Sequence, residues 1–110
     1  MKSEGTPTFE QVRLAFLTAR NWGVTKSAGM SVLGTRRLMA DVQDHVTTAF
    51  VALRTAHNLN QGMEDTVRCR LRKMATEESL KAYRLACYFR PDNAVADFHR
   101  ALTRFVMDRP

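Results

Sequence analysis

The sequence predicts an all-α fold, a compact bundle of about five helices organised on one long central helix. Three observations predict it. Apolar residues recur every three to four positions along most of the chain, Gly and Pro number only 5 and 3 in 110 residues, and no segment holds a convincing strand-like alternation. With 45% apolar and 25% charged residues the composition is that of one globular domain, too small for two and too apolar for a disordered chain. Residues 1–7 are polar and aperiodic and are expected to be a disordered tail, leaving 8–110 as a single helical domain.

Phe9, Val12, Phe16 and Ala19 share a helical face, with Thr8 or Thr6 as N-cap and Gly23 as the expected stop. Trp22, at the end of this helix, suits a core or interface anchor. Residues 24–34, with Ser27, Gly29, Ser31 and Gly34, predict a loop and the best hinge in the chain. The strongest periodicity follows: Leu38, Val42, Val46, Ala49, Leu53 and Ala56 form one stripe, with Phe50, Met39 and His45 at its margins. A helix from Thr35 to His57 spans about 34 Å at 1.5 Å per residue. That is long for its neighbours to cover, so Leu38, Val42, Val46, Ala49, Phe50 and Leu53 are assigned either to the core or to a homodimer or partner face.

Asn60 is the expected cap of a third helix with Met63, Val67, Leu71 and Met74 inward, closing at Lys73 to Ala75. Thr76-Glu77-Glu78 reads as a fresh helix start, a capping threonine followed by two acids in the first turn. That fourth helix turns Leu80, Tyr83 and Cys87 to one side and ends near Arg90, because Pro91 disfavours helical geometry in the residue before it. Leu85 to Phe89 is apolar enough to suit a strand as well. Asp92 or Asn93 caps a last helix in which Val95, Phe98, Leu102 and Phe105 align.

The net charge of +6 is concentrated: residues 66–90 carry seven cations against Glu77 and Glu78, which accounts for five of the six. A helix pair with a basic outer face is suited to phosphate backbones, because each neutralised phosphate releases a counterion. Arg68, Arg70, Arg72, Lys73, Lys81 and Arg84 are the candidate phosphate contacts. Arg68 and Arg72 share a face at i,i+4, whereas Arg70 points elsewhere. A helix pair of this kind also suits a small adaptor or inhibitor that binds an acidic protein.

The chain carries no glycine-rich phosphate loop, no nucleophile elbow and no His-Glu-x-x-His, so no enzyme class has a footprint and no cofactor is expected. His45 follows Asp41 by one turn, within side-chain reach, and a small enzyme would need Asp41, His45 and His57 in one pocket. No metal site is expected from His45, His57, His99, Cys69 and Cys87. The six Met suit packing. Cys69 and Cys87 lie 18 residues apart outside any Cys-x-x-Cys spacing, which favours free thiols. No apolar run exceeds five residues, as at Ala49 to Leu53, and no apolar h-region follows Met1, so a soluble cytoplasmic protein without membrane contact is expected.

One stretch resembles a known family. Residues 59–92, from Leu59-Asn60-Gln61-Gly62-Met63-Glu64-Asp65 to Leu85-Ala86-Cys87-Tyr88-Phe89-Arg90-Pro91-Asp92, are similar to the flagellar transcriptional regulator subunit FlhD, whose pattern places Leu-x-Cys-x-Phe-Arg-x-Asp at the later end. The resemblance covers about a third of the chain. It implies a cytoplasmic all-α homodimer that binds promoter DNA with a second protein subunit, and a cysteine at Cys87 able to form an inter-chain disulfide. The expected function is therefore DNA-binding transcriptional regulation.

Overall fold

Thr8 opens the first helix, α1 (Phe9–Ala28), with a complete capping box. The Gln11 backbone N–H donates to Thr8 Oγ1 at 3.1 Å, and the Thr8 N–H donates to Gln11 Oε1 at 2.8 Å. The structure is a computed structural model that describes residues 6–58, 65–90 and 92–108. Helix α2 (Leu33–Asn58) is 26 residues, about 39 Å. Helices α3 (Asp65–Ala86) and α4 (Ala94–Met107) complete the order, and Asn93 caps α4 by accepting from the Ala96 N–H at 2.9 Å. The described residues therefore form four helices, where the sequence predicts about five.

The helices pack as an antiparallel ring: α1 against α2, α2 against α3, α3 against α4, and α4 back onto α1. Aromatic pairs fix the directions. Phe9 lies 5.8 Å from Phe50 and 6.0 Å from Phe105 between ring centroids, while Phe16, two turns on, lies 4.3 Å from Phe50 and 5.9 Å from Phe98. The buried positions repeat at alternating steps of three and four on every helix: Val12, Phe16, Ala19 and Gly23; Val42, Val46, Ala49, Leu53 and Ala56; Ala75, Ser79, Ala82 and Ala86; Val95, Phe98, Leu102 and Phe105. That spacing is the one by which helices pack at shallow crossing angles.

Two predicted breaks are absent. Helix α1 runs through Gly23 to Ala28, so the loop and hinge expected over 24–34 shrinks to residues 29–32. Gly23 is buried under the side chain of Gln43: a Cβ there would meet Gln43 Nε2 at 1.6 Å, so this glycine serves close packing within a helix. Among the described residues that Nε2, itself buried, has no hydrogen-bond partner. Replacing Gly23 by Ala in a Gln43→Ala background is expected to raise stability by about 0.5–1 kcal/mol over Gln43→Ala alone, because the clash is gone and a helix-interior glycine is removed. Thermal melts of the two variants check this, and a lower midpoint for the double variant contradicts it.

The second absent break is at Thr76. Its hydroxyl donates back to the Arg72 carbonyl at 3.1 Å, and Ser79 Oγ donates to the Thr76 carbonyl at 3.0 Å, so both polar side chains are satisfied inside one continuous helix. The inward face of α3 also differs from the prediction. Val67 and Met74 are exposed, Leu71 and Tyr83 flank the core, Leu80 and Cys87 are partly buried, and the buried face is the small-residue row Ala75, Ser79, Ala82, Ala86. Residues 85–89 end a helix in a turn rather than forming a strand. The expected Asn60 cap and Met63, together with Pro91, lie outside the described residues. So do residues 1–5 of the expected tail, whereas Thr6 Oγ1 donates to Asp108 Oδ2 at 2.7 Å and meets the end of α4.

The long-helix stripe is core. Val42, Val46 and Ala49 are fully buried, Leu53 and Phe50 nearly so, and Leu38 is partly buried, all within a single chain. The open partner-face alternative thus closes, because α1, α3 and α4 together cover a face that seemed too long for shorter helices. Trp22 packs edge-on against Phe89 at 6.4 Å at the margin of this core.

Candidate nucleic-acid interface

The small-residue row that seats α3 in the bundle also decides which of its cations face outward. At about 100° per residue, Arg70, Lys73, Lys81 and Arg84 fall within an arc of about 80° on the side opposite Ala75, Ser79, Ala82 and Ala86. All four are exposed. The stripe runs about 21 Å from Arg70 to Arg84. Arg68 and Arg72 point elsewhere and are half-buried; the Arg68 side chain is 19% exposed and pairs with Asp65. The six candidates therefore divide four and two, and Arg70 joins Lys73 rather than standing apart.

Two acids modify the stripe. Glu77 lies within the arc and is exposed. Glu78 turns toward α2, where its Oε1 accepts from His45 Nδ1 at 2.6 Å and its Oε2 accepts from Lys81 Nζ at 3.0 Å. The sequence pairs His45 with Asp41, one turn away on its own helix; the structure gives it Glu78 from the neighbouring helix. One residue escaped the sequence reading. Tyr88, 72% exposed, lies in the turn that follows α3, four residues after Arg84, with its ring edge-on to Phe89 at 5.3 Å.

The His45 hydrogen bond, and then Lys81, hold the Glu78 carboxyl below its ordinary value of 4.5, against burial, which pushes it up. A carboxyl depressed in the folded state contributes stability that is complete above its unfolded value and is lost as the pH falls through the depressed one. Glu78→Gln is therefore expected to lower the melting temperature at pH 7, and its deficit against the parent should shrink below about pH 4.5. Melts from pH 7 to pH 3 test this; a deficit constant across that range contradicts it.

The remaining histidines do not converge on His45. His57 stacks on Phe9 at 4.1 Å, three turns along α2, and His99 lies on α4. Among the described residues no three of His, Cys, Asp and Glu come together as a metal site, and no helix is long and apolar enough to cross a membrane. Cys69 is an exposed free thiol and Cys87 a partly buried one. A second surface adjoins the basic stripe: a groove of 300 Å³ between α2 and α3, lined by Thr47, Thr48, Val51, Thr55, Leu71 and Met74, with Val67 exposed nearby on the same side of α3. No family model, curated protein or solved structure matches the chain.

Proposed function

We propose that the chain is a nucleic-acid-binding regulator that engages the phosphate backbone of DNA through the outer face of α3. The observation that carries this reading is the gathering of Arg70, Lys73, Lys81 and Arg84 on one exposed face of a single helix, with Tyr88 beyond them. The uninterrupted helix argues for backbone contact along its length rather than for a recognition helix entering a groove after a tight turn. The likeness of residues 59–92 to FlhD points the same way. The test is titration of a mixed-sequence duplex at several salt concentrations. Affinity that falls steeply with salt supports the reading; no binding at low salt overturns it.

A second reading, a helical adaptor for an acidic protein, draws on the α2–α3 groove. Val51, Val67 and Met74 are 41, 40 and 45% exposed there beside Arg70, which suits an amphipathic segment with acids along its edge. A partner subunit of a DNA complex would use the same groove, since the long-helix stripe is already filled. Binding to an acidic amphipathic peptide but not to duplex, with loss on Met74→Asp, is the outcome that favours the adaptor.

A further inference from the structure

His99 stands between α3 and α4 with one ring nitrogen against a buried serine. Its Nδ1 lies 2.8 Å from Ser79 Oγ, which is fully buried. The Ser79 hydroxyl has a single hydrogen, and that hydrogen is given to the Thr76 carbonyl, which can only accept. With that hydrogen on Thr76, the ring donates from Nδ1 to Ser79, and Thr103 Oγ1 lies farther off at 3.4 Å. Nε2 is left with no protein partner among the described residues, and it is not among the buried unpartnered atoms, so it is open to solvent. The ring is held flat by Tyr83, stacked at 5.6 Å and 10°.

A pocket of 230 Å³ opens at this point, lined by Tyr83, Ala96, His99, Arg100, Thr103 and Arg104. Arg100 and Arg104 project one turn apart on α4, a like-charge i,i+4 pair that is unfavourable on a bare helix. Asp97 pairs with Arg100 at 2.7 Å, while Arg104 has no ion-pair partner among the described residues. Two arginines, a threonine and the His99 imidazole thus line one small concavity.

We propose that this pocket binds a phosphate monoester group, held by Arg100 and Arg104 and by a hydrogen bond across His99 Nε2. Guanidinium groups suit a phosphate because their N–H donors match its oxygens. Nε2 of a neutral ring has a lone pair and would repel a fully ionised phosphate oxygen, so one proton must lie between them, either on the phosphate or on Nε2. Binding at neutral pH therefore takes up one proton from solvent. Burial, and then the charge of Arg100, hold His99 below its usual range, which keeps the free ring neutral and makes that uptake necessary. The groups that face the ring are Ser79 and Tyr83 from α3 and Arg100, Thr103 and Arg104 from α4; the Tyr83 hydroxyl is raised by its hydrogen bond to Cys87 and stays neutral in this range.

The experiment is titration of the whole chain with methyl phosphate, a monoester whose dianion carries no P–OH, followed through the imidazole resonances of its three histidines between pH 6 and pH 8. The expected result is a saturable change at His99 with His45 and His57 unmoved. Affinity should weaken by up to about tenfold per pH unit toward pH 8, and Arg104→Ala, an exposed position, should weaken it about tenfold more. No saturable change, an equal change at all three histidines, pH-independent affinity, or Arg104→Ala binding like the parent each overturns the proposal. Short single strands with and without a 5′-phosphate separate the two sources of such a group. A His99 response confined to the phosphorylated strand assigns the site to strand ends, and an equal response to small sugar phosphates assigns it to free metabolites.

Discussion

Replacing Val46 by Asp is expected to abolish the folded state of the chain. Val46 is fully buried at the centre of α2, between Val42 and Ala49, which are equally buried. A carboxylate placed there has no partner and must either stay charged at a cost of several kcal/mol or take up a proton and remain an unsatisfied polar group. A domain of this size holds a stability of roughly 5–15 kcal/mol, and the loss of valine packing adds to the penalty. The measurement is far-ultraviolet circular dichroism with a thermal melt, and the expected result is loss of the cooperative transition. Thr47→Asp, at an exposed neighbour, should melt within a few degrees of the parent. A Val46→Asp chain that stays folded and merely changes its mass in solution would instead place the stripe at an interface between copies.

The second large effect concerns the outer face of α3. If Arg70, Lys73, Lys81 and Arg84 each neutralise one phosphate of a duplex, log K should fall against log salt with a slope of about −3.6. Affinity then drops roughly a hundredfold between 50 and 200 mM salt. The triple variant Arg70→Ala, Lys73→Ala, Arg84→Ala should retain a slope of about −0.9 from Lys81 alone, with an unchanged melting temperature because all three positions are exposed. Arg68→Ala provides the contrast. Arg68 is turned toward the bundle and paired with Asp65, so its loss should leave the slope near the parental value. A triple variant that keeps the parental slope removes α3 from the interface.

Much of this architecture is legible in the residues themselves. The long stripe from Val42 to Ala56, the Thr8 cap and the Asn93 cap each announce a helix by local chemistry, and each is where that chemistry places it. Gly23 and Thr76 mislead because propensity marks each as an end or a start, and the surroundings of each decide otherwise. Gly23 is kept helical because Gln43 lies over it, and Thr76 because its hydroxyl turns back to Arg72. At α3 the difficulty is one of size. A search for large apolar residues selects Val67 and Met74, yet the face that enters the core is Ala75, Ser79, Ala82 and Ala86, whose value lies in close approach rather than in area. The candidate interface inherits that difficulty. The residue types and the segment are plain from the sequence, but which cations face solvent depends on the phase of α3. That phase also joins two expected short helices into one stripe and brings His45 to Glu78.

The ring of antiparallel neighbours has a kinetic consequence. Three of its four seams join helices that follow one another in the chain, so they require only short loops to close. The fourth, between α1 and α4, joins the two ends of the domain, where Phe9 meets Phe105 and Thr6 meets Asp108. The first three seams are expected to form early, on the microsecond-to-millisecond scale of helical bundles, with the α1–α4 seam closing last. Truncations at Phe105 should accordingly speed unfolding while leaving the folding rate nearly unchanged.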